Sequence, residues 1–260
     1  MLFSFVIPTY NRSLKVARAI DSVINQPDWS NISEIIVVND GSTDDTDKRL
    51  KPYLKNKQIH LVRHAKNQGV AAAKNTGILN SRNRYVVLLD SDDLLANNGL
   101  HYLQSLVMQN NCDLFFCGTR VLNSNRLMYD LNFKGVKTYR DLLKNRIGEY
   151  LPVGKTSIMQ ENLLYNLRGY ESITWLRLAR KGYQIYFDNE PIRLYDEEGE
   201  DRLSHRLNGV KNALKMREGY ALYLKEFGID LKNINYTEYF KMNVKLLCYY
   251  MMSLSPFKFK

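Results

Sequence analysis

Cysteine is scarce: Cys112, Cys117 and Cys248 are the only three in 260 residues, and no C-x-x-C occurs. An odd number without paired spacing argues against a disulfide framework and a structural zinc site. It fits reduced thiols in a cytosolic compartment. Long apolar runs are missing as well, and no stretch approaches the ~20 apolar residues that span a bilayer. The opening MLFSFVIPTYNR has no basic segment ahead of its apolar residues and no small-residue cleavage site, so it is expected to be a strand rather than a secretory leader. There is no G-x-G-x-x-G turn, which argues against a dinucleotide oxidoreductase. Internal repeats and low-complexity tracts are also absent. Acid is in deficit: 27 Asp and Glu face 37 Lys and Arg, a net charge of +10. Such a balance suits an anionic partner (nucleic acid, an anionic membrane or a phosphorylated substrate) without choosing among them.

What is present reads as alternating strands and helices. FSFVIPTYN, EIIVVNDGS, IHLVRH and YVVLLDSDD are apolar runs of strand length, the first broken by Pro8. Such runs fit strands covered on both faces of a parallel sheet. Between them lie helix patterns: Leu14, Ala17, Ile20, Val23 and Ile24; a polar helix over 43–54; and the Ala-rich AAAKNTGILN. A further helix is expected in LANNGLHYLQSLVMQ. The alternation predicts an α/β fold of βαβ units, with ligands beyond the carboxyl ends of the strands. After residue 110 come a strand (CDLFFCGTRVL), a stretch over 123–150 without periodicity, a helix in GYESITWLRLARKG, and short strands YQIYF and IRLY. Two amphipathic helices close the chain, striped by Leu203, Leu207, Val210 and Leu214, then by Phe240, Val244, Leu247, Met251 and Leu254.

The chemistry concentrates in Asp90-Ser91-Asp92. Residues i and i+2 of an extended chain point the same way, so both carboxylates can face one divalent cation. Helix capping is the plainer use of such acids, and Asp93 is assigned to it.

FVIPTYNR, IIVVNDGSTDDT, NQGVAAAKNTGI and VVLLDSDD, in that order and spacing, resemble the family 2 glycosyltransferases over roughly residues 1–195. The resemblance implies a GT-A fold: a Rossmann-like, mostly parallel sheet flanked by helices, here with a C-terminal helical extension. It divides the chain into a catalytic domain over 1–201 (a nucleotide-sugar half, 1–110, and an acceptor half, 111–201) and a helical region over 202–260. It implies that Pro8, Thr9 and Tyr10 wall the nucleobase pocket, that Asp40 accepts a hydrogen bond from the base, and that Ser91 and Asp90 face the donor. Lys74 stands where relatives usually carry arginine and supplies charge near the nucleotide. Asp90 and Asp92 hold Mn²⁺ or Mg²⁺. Relatives carry an acidic pair six to seven residues before the arginine of an L-R-L-A-like helix. That arginine is Arg177, so the pair falls on Tyr170-Glu171, which makes Glu171 the general base and replaces the first acid by tyrosine. Lys155 and Thr156 are placed on the acceptor side, and Trp175 in the core. Where many relatives have an aromatic-Arg-x-His stretch, this chain has Tyr195-Asp196-Glu197-Glu198. Arg202 and His205 are the candidates to take over at the diphosphate or metal if the loop folds back; the alternative is that the acidic loop is a mobile lid.

The expectation is therefore a metal-dependent inverting glycosyltransferase. It moves a hexose or N-acetylhexosamine from a UDP-linked donor to a glycan or lipid-linked acceptor of a bacterial surface polysaccharide. The C-terminal helices, basic beside an apolar stripe, either lie on the inner face of an anionic membrane, dock on the catalytic domain or form a homodimer interface. The first of these makes the protein cytoplasmic and peripheral on the membrane. A catalytically silent sugar-nucleotide-binding relative is the alternative. A nucleic-acid-binding protein is disfavoured by the acids at the strand ends. A processive synthase would need membrane spans and a Q-x-x-R-W helix, and neither is present.

Overall fold

The computed structural model describes residues 2–145, 147–167, 169–197 and 212–254. Arg202 and His205 lie outside the described residues, as do Leu203, Leu207 and Val210. The described strands are β1 (Phe3–Thr9), β2 (Ser33–Asn39), β3 (Ile59–Arg63), β4 (Tyr85–Leu88), β5 (Leu94–Leu95), β6 (Leu114–Val121), β7 (Gly135–Lys137), β8 (Tyr150–Lys155) and β9 (Ile185–Tyr195). They form one sheet in the order β3-β2-β1-β4-β8-β6-β9-β5, with β7 beside β9. The first four in that order run parallel, β8 runs against both β4 and β6, and β9 runs parallel to β6.

The helices are α1 (Ser13–Ile24), α2 (Trp29–Ile32), α3 (Thr46–Leu50), α4 (Val70–Asn80), α5 (Gly99–Gln109), α6 (Tyr139–Lys144), α7 (Thr156–Glu161), α8 (Glu171–Arg180), α9 (Ala213–Ile234) and α10 (Tyr236–Leu254). Alternate residues of the buried strands feed two cores, as the strand period of two requires. Phe5, Ile7, Val87 and Leu89 pack with Val16, Ala19, Ile20 and Val23 of α1 and with Leu100 and Leu103 of α5. Val6, Val86 and Leu88 pack on the other face with α4, α8 and α9. Gly77 lets α4 lie against β1, because a Cβ there would sit 2.2 Å from Val6 Cγ1.

Several expectations change. Pro8 does not end β1. It pairs with Val38 beyond the last β1–β4 partner, so its missing N–H costs no ladder bond there. Leu14 is exposed, and the buried face of α1 is Val16, Ala19, Ile20 and Val23. YQIYF and IRLY belong to one long strand, β9, bent by register shifts against β6 at Cys117–Thr119. The aperiodic 123–150 stretch holds β7 and α6, the latter started by a Thr138–Asp141 capping box.

The C-terminal helices divide their roles. α9 docks on the core beside α8, with Phe227 and Leu231 fully covered and contributing about 1.5–3 kcal/mol each. Arg177 Nε donates to Glu226 Oε2 at 2.8 Å, and Tyr139 Oη donates to Asp230 Oδ2 at 2.7 Å. In α10 no residue is buried, and Phe240, Val244, Leu247, Met251 and Leu254 are all exposed. Leu214, the described member of the first expected stripe, also faces out.

Candidate active site

A cleft of about 770 Å³ opens where β1 and β4 end and β8 begins. Pro8 lines it from β1, Arg12 from the N-cap of α1, and Asp90, Ser91 and Asp92 from the turn after β4. Glu149, Tyr150 and Pro152 come from the start of β8, Glu171 and Trp175 from α8, and Arg193 and Tyr195 from β9. Asn212, Lys215, Met216 and Tyr249 close it from the C-terminal helices.

Each carboxylate after β4 has its own cation. Asp90 Oδ1 is 2.9 Å from Lys74 Nζ, and Asp92 Oδ2 is 2.7 Å from Arg12 Nη1. Arg193 Nε donates to Asp93 Oδ2 at 2.6 Å, while its Nη1 donates to the Tyr150 carbonyl at 2.8 Å. Asp93 is thus not a helix cap. Leu94 and Leu95 pair with β9, and α5 starts only at Gly99. Lys74 also reaches Glu171 Oε1 at 2.9 Å.

These groups perturb one another. Burial favours the neutral amine at Lys74, but Asp90 and Glu171 override it and hold the ammonium more firmly than usual. Burial opposes the charge on Asp90, yet Lys74, Arg193 and Arg12 bring its pKa below the ordinary value. At Asp92, burial and then Asp90 push the pKa up against Arg12. At Asp93, burial together with Asp90 and Asp92 pushes it up to about 7, against the opposing pull of Arg193. The strand end therefore gathers more negative charge than its buried surroundings accept easily.

Local structure explains why these side chains meet. Asp40 follows β2, and its carboxylate accepts from Gln68 N at 2.9 Å and Gly69 N at 2.8 Å, with His64 Nδ1 2.6 Å away. It thereby fixes the turn that starts α4, from which Lys74 projects. The side-chain amide of Asn75 exchanges two 2.8 Å hydrogen bonds with the backbone of Leu164, tying α4 to the segment that leads into α8.

Pro8, Lys74, Asp90, Ser91, Asp92 and Glu171 converge on the cleft. Other expected site residues do not. Asp40 is buried, committed to the 64–69 turn, and does not line the cleft. Tyr10 is exposed outside the cleft wall, and Thr9 Oγ1 is buried without a hydrogen-bond partner. Lys155 and Thr156 lie at the opposite end of the sheet. β8 runs antiparallel to β4, so Lys155 pairs with Tyr85 and Tyr150 faces the cleft instead. Lys155 binds Asp113 at 2.8 Å, and Thr156 Oγ1 donates to the Asn83 carbonyl at 2.6 Å. Trp175 is core, packed edge-on against Phe116 at 5.3 Å, and also borders the cleft.

Sequence reasoning missed Arg12, Arg193, Glu149 and Tyr150. Arg193 carried a signal: an arginine between Ile192 and Leu194 in a strand facing two cores needs a buried acid. Asp196, expected in an acidic lid, is instead packed into the fold. It is buried, with Oδ2 3.3 Å from Arg18 and its N–H donating to Asp93 Oδ1.

Among the described residues no helix is long and apolar enough to cross a membrane. The sequence profile of glycosyl transferase family 2 matches residues 4–168. The putative teichuronic acid biosynthesis glycosyltransferase TuaG of Bacillus subtilis is 31% identical over 206 residues, covering 75% of this chain and 78% of that one. WfgD of Escherichia coli, a UDP-Glc:α-D-GlcNAc-diphosphoundecaprenol β-1,3-glucosyltransferase, is 29% identical over 146 residues, covering 55% of this chain and 56% of its own length. Several other curated relatives are matched over less than a third of their length. In fold, the chain superposes with a TM-score of 0.69 on TarS 1-349 of S. aureus in complex with UDP-GlcNAc, at 18% identity, covering 98% of this chain and 74% of that one. The four sequence motifs lie within the matched span, and residues of three of them, Pro8, Lys74 and Asp90 among them, line one cleft: the chain belongs to glycosyl transferase family 2 and is a glycosyltransferase of GT-A fold.

Proposed function

We propose that the protein transfers a hexose or N-acetylhexosamine, with inversion, from a UDP-sugar to a glycan or lipid-linked acceptor of a bacterial cell-surface polysaccharide. The observation that carries this reading is the single cleft in which Glu171 and Asp90 share Lys74. The teichuronic acid and diphosphoundecaprenol relatives support the acceptor class, and the UDP-GlcNAc complex of TarS supports the donor. In this reading residues 1–110 bind the donor and 111–201 the acceptor.

Asp90 and Asp92 suit a divalent cation. They are hard oxygen donors at a strand end whose Asp92 pKa is raised by burial and by Asp90. Among the described residues no third His, Cys, Asp or Glu joins a cluster with them. Water and donor oxygens would therefore complete the shell of Mn²⁺ or Mg²⁺. Such an ion, when bound, stabilises negative charge on the departing diphosphate.

The chain's own groups do the rest. Pro8 and Ser91 wall the donor side. Glu171, about a quarter exposed, takes the proton of the acceptor hydroxyl. Lys74 fixes one oxygen of that carboxylate. The exposed apolar face of α10, with Lys241 and Lys245 beside it, lies on the anionic inner face of the cell membrane, where a lipid-linked acceptor resides.

The test is Glu171→Gln. It is expected to abolish transfer while binding UDP-sugar with unchanged affinity by calorimetry. Near-normal turnover overturns the base assignment. A thermal-shift panel of UDP- and dTDP-sugars with and without Mn²⁺ tests the donor, and no shift with any of them overturns the donor reading.

A further inference from the structure

Tyr170 replaces an expected acid directly before Glu171, and the structure shows what the ring does instead. It is buried and stands at the N-cap of α8, the helix that Glu171 opens. Its hydroxyl donates to the Met216 carbonyl of α9 at 3.1 Å. The ring lies directly on the α9 backbone at Gly219, where a Cβ would come within 2.1 Å of Tyr170 Cε2. Tyr220 meets the ring edge-on at 5.7 Å and in turn stacks on Tyr249 of α10 at 5.6 Å. Glu171 is thus held from two sides, by Lys74 from α4 and through Tyr170 by the C-terminal helices.

We propose that Tyr170 and Gly219 are positioning residues for the carboxylate of Glu171, so that the C-terminal helix pair is part of the catalytic apparatus. The proposal rests on Glu171 being the base. The peptide link between Tyr170 and Glu171 transmits any shift of the ring to the start of α8. Displacing a catalytic group by about 1 Å costs on the order of a hundredfold in rate. Other contacts hold α9 independently of this wedge: Phe227, Leu231, and the Arg177–Glu226 pair. The site can therefore be perturbed without undocking the helix.

The experiment compares Gly219→Ala, Tyr170→Ala, their double variant, Tyr170→Phe and Glu171→Gln. Each is measured for kcat, donor KM, donor affinity by calorimetry, and Tm. Gly219→Ala is expected to lower kcat at least about tenfold with donor KM within about twofold of the parent. Once Tyr170→Ala has removed the ring, adding Gly219→Ala should change kcat by less than about twofold, because the two act through one contact. Unchanged kcat in a folded Gly219→Ala protein, an equal loss of donor affinity, or losses that multiply in the double variant each overturn the proposal. If Gly219→Ala does not fold, Tyr170→Phe decides, since it keeps the ring and removes only the bond to Met216. A fall in kcat of about two- to fivefold at constant KM supports the proposal, and no fall overturns it. Near-normal turnover of Glu171→Gln removes the base itself, and that result is distinct from failure of the wedge.

Discussion

Lys74 Nζ donates to Glu171 Oε1 at 2.9 Å, joining residues 97 positions apart and holding the candidate base against the strand end that carries Asp90. Replacing it by methionine leaves two carboxylates facing one another without their shared cation. Both are partly exposed, which tempers the cost to about 1–3 kcal/mol. Lys74→Met should lose that stability in urea denaturation and lower kcat/KM by roughly a hundredfold. Lys74→Arg restores charge without the compact ammonium and should recover only part. Full activity in Lys74→Met would refute the shared-cation arrangement.

The cation prediction is separable. Chelation should abolish transfer, and Mn²⁺ or Mg²⁺ should restore it. Asp90→Asn and Asp92→Asn should each raise the Mn²⁺ concentration needed for half-maximal activity by roughly tenfold or more, since each removes a hard oxygen ligand. Transfer at the full rate by thoroughly chelated protein would sink the metal assignment.

Docking of α9 has a pH signature. The hydrogen bond from Arg177 holds the Glu226 carboxyl below its ordinary value of 4.5. A depressed carboxylate stabilises the fold fully above its unfolded value, and that contribution is lost as pH falls through the folded value. The Tm gap between the parent and Glu226→Gln should therefore be constant from about pH 7 to 5 and close toward pH 3. The pair is partly exposed and screened by solvent, so the gap corresponds to about 0.5–1 kcal/mol. A gap that persists at the acid end would show that charge is not what holds this contact.

The outer face of α10 predicts a surface effect. Leu247 and Met251 are 59% and 64% exposed, so Leu247→Asp/Met251→Asp should leave Tm nearly unchanged. The same pair should abolish co-sedimentation with phosphatidylglycerol vesicles, and parent binding should weaken with salt. Failure of the parent protein to bind such vesicles would end the membrane reading.

Much of the chain up to residue 110 was legible because its signals are local. A strand covered on both faces needs an unbroken apolar run, and Val86 to Leu89 is one. The carboxylates past it had to sit at the carboxyl edge of the sheet, and they do. The part after residue 110 was less legible because its geometry depends on strand direction. The family resemblance put Lys155 on the acceptor side, but reversal of β8 sends it to the far end of the sheet and brings Tyr150 forward. Asp40 looked like a ligand-facing acid. The turn at 64–69, folded over the end of β2, claims its oxygens first.

By itself, then, the sequence determined the alternating strands and helices, the acids at the end of β4 and the position of Glu171. The first two follow from patterns within a few turns or residues, and the third from the family resemblance. Only the tertiary structure decided which cation meets which acid. Arg193 reaches Asp93 across 100 residues, and Lys74 binds Asp90 and Glu171 together. A buried carboxylate demands a partner, and nothing in its own segment says where the partner comes from. Sheet order and helix packing alone supply that answer, as they do for Tyr170 on Gly219.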